Sequence, residues 1–330
     1  SDIFTNRAIE YIKEQSQASD EQPFFLYLSY NAPHTPLQLP EPYYDAYRKL
    51  NYGPEDFEDS GMNVAEMRSR DMEDARKVYG MVSNIDDNLG SLWKTLTDLD
   101  LEKNTLVIFM TDNGPQQRRY TSGLSGRKSS VLEGGIRVPC FFYWKDHLEE
   151  GKVLNYPSAH IDMMPTLLEF AGISGGGETD GTSLFPLLNG GPAPEERPLF
   201  FVWTRGYPQR YSNMAVRKGA FKLVGQTEHG ESTDHLQLYN LEEDPYEKKD
   251  VSLEYPDVKT ALLGELDQWY EEIIVSPHLL DPPRISIGSD KENPVILGRN
   301  DWKGPKATQW NAADAFGYWD VRVLDPGPYT

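Results

Sequence analysis

Cysteine is nearly absent from this sequence. Cys140 is the only one in 330 residues, so an intramolecular disulfide is excluded. Set in the apolar "VPCFFYW", it reads as a buried small hydrophobe rather than a reactive thiol. Long apolar runs are missing too. The longest, "TLVIFM" and "VPCFFYW", have strand length, far short of the ~20 residues that cross a membrane as a helix. Positive charge is scarce: 32 Lys and Arg stand against 52 Asp and Glu, a net charge of −20. That balance excludes a general nucleic-acid binder, which needs clustered cations for phosphate. An anion site here must be a local exception to the global field. There is no P-loop, no G-x-S-x-G and no paired Cys-x-x-Cys. The opening "SDIFTNRAIEYIKEQ" has no initiator Met and no leader features, and "VLDPGPYT" stops abruptly. The expectation is a piece cut at both ends.

What is present has the texture of an α/β protein of two or three domains or subdomains. Thr5 is placed to cap a first helix carrying Ala8, Ile9 and Ile12. Phe24–Ser29 reads as a strand, followed by a proline-rich extended loop. Over 71–99, Val78, Val82, Ile85, Leu89, Leu92, Leu96 and Leu99 alternate spacings of four and three, which predicts one long covering helix. Strands follow at Leu106–Thr111 and Val138–Trp144, and a helix in "SAHIDMMPTLLEFAGI" ends at Gly172. A linker composition spans 174–198. Beyond it, "LFFVWTR", "NMAVRKGAFKLVG" and "LQLYNLEEDP" predict short antiparallel strands, with a hairpin turning at Lys218-Gly219. A helix at 256–274 and a tail of short strands complete the chain. The domains expected are 1–190, a layered α/β region; 191–278, a small antiparallel sheet with a helix; and 279–330, the start of a β-rich appendage.

Four residues stand out as chemistry. Asp112 and Asn113 sit at the carboxyl end of an apolar strand, where open α/β sheets bind ligands. They offer oxygen donors suited to Ca²⁺ or Mg²⁺, although "DNG" is also an ordinary strand-ending turn. His34, in "NAPHTP", is held between prolines and can bind an anion or move a proton; an ordinary loop histidine is the alternative. Lys128 lies in a stretch, 116–137, with five cations (Arg118, Arg119, Arg127, Lys128, Arg137) and one acid, Glu133. Its glycines allow close backbone approach to an oxyanion; a solvated basic loop is the rival reading. Glu133 is set to pair with Arg137 across the double glycine, and His160 to cap the helix after it, with substrate binding as the alternative. Aromatic loop residues Tyr43, Tyr44, Trp203, Tyr207 and Tyr211 suit a sugar or plain core packing.

Taken in order, "PFFLYLSYNAPHTPLQLP", "YGMVSNIDDNLGSLWKTL", "TLVIFMTDNG", "GLSGRKSSVLEGGIRVP", "IDMMPTLLEFAG", "AVRKGAFKLV" and "LYNLEEDPYEKKD" resemble the sulfatase family of the alkaline-phosphatase-like superfamily. The resemblance covers residues 1 to about 275; the tail "NPVILGRNDWKGPKATQW" is similar to the β-rich appendage of some members. It implies an alkaline-phosphatase-like layered mixed sheet with helices, present in part, plus the small C-terminal antiparallel sheet. It implies that Asp112 and Asn113 ligate a divalent cation, usually Ca²⁺ with Mg²⁺ as the alternative, that Lys128 contacts the sulfate and the ester oxygen, and that His34 lies near the leaving group. The substrate implied is a sulfated small molecule or glycan, and the compartment periplasmic or secreted, with lysosomal as an alternative. The family's nucleophile is a formylglycine made in a C/S-x-P-x-R motif. No such motif occurs here, Cys140 is followed by Phe-Phe-Tyr, and the family's paired N-terminal aspartates are missing. The expectation is that this chain supplies part of a site, is inactive alone, and is completed by an N-terminal segment of the same protein. A phosphomonoester or phosphonate hydrolase and a non-catalytic binding protein are the rival readings.

Overall fold

The computed structural model describes residues 1–18, 22–60, 62, 64–174, 177–204, 207–226, 232–304, 312–325 and 327–328. Two compact units divide the chain, Ser1–Asp267 and Gln268–Thr330. Residues 175–176 of the expected linker and 305–311 of the tail motif lie outside the described residues.

The first unit opens with three helices. Helix α1 (Asp2–Ser16) begins earlier than the sequence suggests, with Ser1 at its N-cap. Thr5 is therefore not a cap but a buried residue of the first turn, with its hydroxyl 2.7 Å from that of Tyr30. Helix α2 (Glu41–Tyr47) and helix α1 both pack on the long helix α3 (Ser69–Asp98). The inward face of α3 is Met72, Ala75, Val78, Met81, Ile85 and Leu96. The predicted stripe holds at Val78, Ile85 and Leu96, but Val82 is exposed, because α1 and α2 cover an arc that passes through Met81 instead.

The start of α3 is fixed by its third residue. Asp71 accepts from the Arg68 backbone N–H at 3.1 Å and from its guanidinium at 2.8 Å. These bonds hold its carboxyl at about 2. A carboxylate whose folded pKa lies below its unfolded value contributes stability above the unfolded pKa, and that contribution is lost as pH falls through the folded one. The stability difference between wild type and Asp71→Asn is thus expected to be full at neutral pH and to shrink between about pH 4 and pH 2. Urea titrations across that range check it; a pH-independent difference would contradict the assignment.

Strand β1 (Val107–Met110) follows, then the four-residue helix α4 (Glu133–Ile136) and strand β2 (Cys140–Tyr143), which pairs antiparallel with β1. The sheet of this region is these two strands among the described residues. Phe24–Ser29, expected as a strand, pairs with no neighbouring strand among the described residues. A strand needs a neighbouring backbone, and here Phe25 and Tyr27 stand 73% and 82% exposed instead. Cys140 is likewise exposed, not buried, because the outer part of β2, with Phe141 beside it, is uncovered.

Helix α5 (Met163–Phe170) ends as expected at Gly172, whose φ of +66° suits glycine. A single turn, α6 (Phe185–Leu188), leads on to a meander of strands β3 (Leu199–Val202), β4 (Met214–Lys218), β5 (Phe221–Gly225) and β6 (Gln237–Asn240), antiparallel in that order. Lys218 pairs with Phe221, so the β4–β5 turn is Gly219-Ala220, one residue later than predicted. One face of the meander, with Ala215, Val224 and Tyr239, packs on Val131 and Leu132 from the basic loop. Helix α7 (Pro256–Ile274) matches its predicted bounds; Leu262 and Leu266 are buried, and Lys218 pairs with its Glu265 at 2.6 Å.

The second unit contains α8 (Pro277–Leu280) and a parallel pair, β7 (Ile285–Ile287) and β8 (Val321–Val323). Arg284 ties Asp281 to Asp320, and the Trp302 and Trp319 rings meet edge-on at 5.2 Å. Among the described residues no helix is long and apolar enough to cross a membrane.

Candidate active site

The apolar β1 strand carries the chain out to Asp112 and Asn113. Asp112 Oδ1 accepts from the Asn113 backbone N–H at 2.8 Å and from its amide Nδ2 at 3.2 Å. The same Nδ2 donates to the Gly114 carbonyl at 3.2 Å. These bonds turn the amide nitrogen inward and leave Asp112 Oδ2 and Asn113 Oδ1 as acceptors for another partner. Two hard oxygens at one strand end fit part of a Ca²⁺ or Mg²⁺ shell, which for Ca²⁺ takes six to eight oxygens. Among the described residues no group of three or more His, Cys, Asp or Glu assembles around them. The pair fits a divalent cation as two of its ligands.

His160 was expected as a helix cap, and it is not one. Its Nε2–H donates to the Thr111 carbonyl at 2.9 Å, bracing the residue before Asp112. The capping carboxylate is Asp162, fully buried, which accepts from the backbone N–H of Ala159 and Thr182 at 2.8 Å each and from Arg197.

Close backbone packing joins this strand end to the basic loop. Gly114 N–H donates to the Gly135 carbonyl at 2.8 Å, and Lys128 N–H to the Pro115 carbonyl at 2.9 Å. A Cβ on Gly114 would lie 1.9 Å from the Gly134 carbonyl oxygen, so only glycine fits there. "DNG" and "EGG" are therefore two halves of one knot, and Lys128 is bonded to residues just past Asn113. The five cations do not act as one patch. Arg118 donates to the Glu66 carbonyl at 3.2 Å, while burial pulls the Arg119 guanidinium below its ordinary value, against the opposing effect of Tyr79 and Tyr52. Arg127 and Arg137 are exposed, and Lys128 is half-buried.

Glu133 does not pair with Arg137. Its Oε1 accepts from Lys222 Nζ at 2.8 Å, and Lys222 also donates to Glu247 Oε1 at 2.8 Å. Glu247 Oε2 in turn takes the Glu133 backbone N–H at 2.7 Å, and Arg217 approaches Glu133 at 3.8 Å. The Lys222 and Glu247 side chains are 0% exposed. Burial pushes the Glu247 carboxyl up from its ordinary value, against the pull of Lys222. The charges come from helix α4, two strands and a turn far apart in sequence, so local spacing carried no sign of them.

His34 is exposed, and its Nδ1–H donates to the Thr35 carbonyl at 2.8 Å. This leaves Nε2 facing outward. Among the described residues neither ring nitrogen bonds to Asp112, Asn113 or Lys128. The structure thus ties the Lys128 backbone to Pro115, two residues past Asn113, and His34 stands on its own loop. Beside Asn113 a cleft of about 350 Å³ is lined by Ser129, Ser130, Phe201 and Trp203, among others. Of the loop aromatics, Trp203 alone lines it. Tyr43 and Tyr44 donate to Asp87 and Glu73, and Tyr211 is buried with its hydroxyl on Asp267.

The model of the family described as Sulfatase matches residues 1–173, more than half of the 330. The chain belongs to the sulfatase family. A second match, described as N-sulphoglucosamine sulphohydrolase, C-terminal, covers residues 127–272 of this sulfatase chain. Human N-acetylgalactosamine-6-sulfatase is 25% identical over 309 residues, covering 82% of this chain and 52% of that protein. An arylsulfatase of Clostridium perfringens is 27% identical over 287 residues, covering 79% and 56%. The crystal structure of Ps i-CgsB in complex with k-i-k-neocarrahexaose superposes with a TM-score of 0.67 at 28% identity, over 82% of this chain and 54% of that one. The sulfatase chain thus spans about half the length of the curated relatives it matches. Its mixed α/β architecture is that of the family's alkaline-phosphatase-like fold.

Proposed function

We propose that the intact protein hydrolyses a sulfate ester and that this chain supplies the lysine side of the site. The observation that carries the reading is the knot that bonds the Asp112–Asn113 strand end to the Lys128 loop. Lys128 then places a point charge against sulfate oxygens, where negative charge grows in the transition state. His34 suits proton delivery: the Thr35 carbonyl holds Nδ1–H, so a proton gained at Nε2 faces outward, toward a leaving alcohol. Asp112 and Asn113 would hold a Ca²⁺ or Mg²⁺ ion. When bound, that ion supplies Lewis-acid charge and a family formylglycine supplies the nucleophile.

The remaining ligands and the nucleophile are proposed to come from an N-terminal segment of the same protein. The exposed Phe25, Tyr27 and Phe141 support this, since a covering layer would bury them. A sulfated glycan is favoured as substrate, because the cleft beside Asn113 pairs Trp203 with Ser129 and Ser130, an apolar face with hydroxyl partners. Export to a periplasm or the outside suits such a substrate.

The test is turnover of an aryl sulfate by the intact protein. A chelator is expected to reduce it at least about tenfold and added Ca²⁺ to restore it, with aryl phosphate hydrolysed far more slowly. Residues 1–330 alone are expected to show no turnover. Chelator-insensitive activity, or a preference for phosphate, would sink the reading.

A further inference from the structure

The turn that carries Lys128 is held from two sides. On one side Lys128 N–H reaches the Pro115 carbonyl, two residues past Asn113. On the other, the meander supplies a single amide, Asn213 Nδ2. It donates to the Ser129 carbonyl at 2.9 Å and to the Trp203 carbonyl at 3.1 Å. The Asn213 carbonyl accepts from Trp203 N–H at 3.2 Å. Asn213 is buried and sits at φ +50°; Ser129, next to Lys128, sits at φ +73°. A left-handed serine in an exposed turn is not held by its own preference, so an outside bond must select that conformation. Ser130 N–H closes the turn on the Arg127 carbonyl at 2.9 Å, with Lys128 and Ser129 at its corners.

We propose that Asn213 is a positioning residue. Its amide fixes the Lys128–Ser129 corner against the end of strand β3, and so sets where the Lys128 ammonium meets the anion. The proposal rests on the sulfate-contact reading of Lys128. The physical argument is one of alternatives. Both amide protons are spent on carbonyls of two other segments, in partly buried bonds, so losing the side chain frees the corner to leave its left-handed state. An ammonium on a four-carbon stem then samples many positions, and a misplacement of about 1 Å costs rate out of proportion to the bonds lost. The bond links residues 84 apart in sequence, which is why no local motif announces it.

The experiment is a double-mutant cycle in the intact protein, with Asn213→Gly, Lys128→Ala and the double variant. Glycine accepts the positive φ and removes the side chain with both its donors. The readouts are kcat and KM on an aryl sulfate, the inhibition constant of inorganic sulfate, and the melting temperature. N213G is expected to lower kcat/KM about tenfold or more and to weaken sulfate inhibition in proportion. In the K128A background it is expected to change neither, because its effect runs through the lysine. A purely structural role would lower the melting temperature and leave both constants alone. An N213G loss of equal size with and without Lys128 overturns the proposal while the Lys128 reading stands. If K128A leaves turnover and sulfate inhibition intact, the Lys128 reading falls and this proposal with it. Should N213G not purify, the exposed Ser129→Val, whose β-branched side chain opposes the positive φ of the same corner, is expected to give a loss that also vanishes in K128A.

Discussion

Replacing Lys128 by alanine in the intact protein is expected to lower kcat/KM for an aryl sulfate by about 10²–10³-fold, the loss seen when one preorganised donor to a developing oxyanion is removed. The melting temperature is expected to stay within a few degrees. Among the described residues the Lys128 ammonium makes no ion pair or hydrogen bond, so no partner is stranded by its loss. The backbone bond to Pro115 survives the substitution. The separation of a large kinetic loss from a small stability change is what marks a charge aimed at substrate. Arginine at this position is expected to restore only part of the rate, because its planar fork does not replace a compact point charge. Steady-state kinetics beside a thermal melt check both halves. A loss under about threefold would remove Lys128 from the site.

Lys222→Met is expected to have the opposite profile. Lys222 is fully buried between Glu133 and Glu247, and removing it leaves two carboxylates facing each other with only Arg217, 3.8 Å from Glu133, to offset them. Breaking a buried pair from one side costs about 3–5 kcal/mol, whereas removing all the charges together is often close to neutral. The single variant should therefore melt about 10 °C lower or fail to accumulate. K222M with Glu133→Gln and Glu247→Gln should recover much of that loss. Calorimetry on the three proteins decides: a K222M melt within a degree or two of wild type would mean the cluster contributes nothing. Because Glu247 also holds the Glu133 backbone N–H, the triple variant is expected to regain stability before it regains activity.

The parts of this molecule that were legible are those set by local chemistry. The 4-and-3 spacing around Ile85 and Leu96 gave α3 because helix periodicity is local, and Val82 broke from it only because the arc covered depends on where α1 and α2 lie. Asp112 and Asn113 were readable as strand-end oxygens, and Lys128 as a cation in a glycine-rich loop. The meander was legible too, off by one residue at Gly219-Ala220, since both turns place glycine at the hairpin tip. What could not be read was pairing at a distance. Lys222 follows Phe221 in "KGAFKLVG" much as any surface lysine alternates in a strand, and only Glu133 and Glu247, 89 residues before and 25 after, make it a buried one. His160 and Asn213 were missed for the same reason: each acts on a carbonyl of another segment. Phe24–Ser29 and Cys140 were misjudged because apolar sequence reports a tendency to be covered, and not whether a cover is there.

The glycine knot and the charge cluster together have a consequence for synthesis. The loop that bears Lys128 leaves the ribosome well before Lys222, Asn213 and Glu247 do, and at about 5–20 residues per second that gap lasts several seconds. Through that interval the loop has its own glycines and no meander to bind. The Lys128 corner is therefore a late product of translation, assembled by contacts of long sequence separation, which are the slowest kind to form. A nascent chain stalled after β3 should carry a protease-sensitive 115–135 segment that becomes resistant once β5 and Glu247 have emerged.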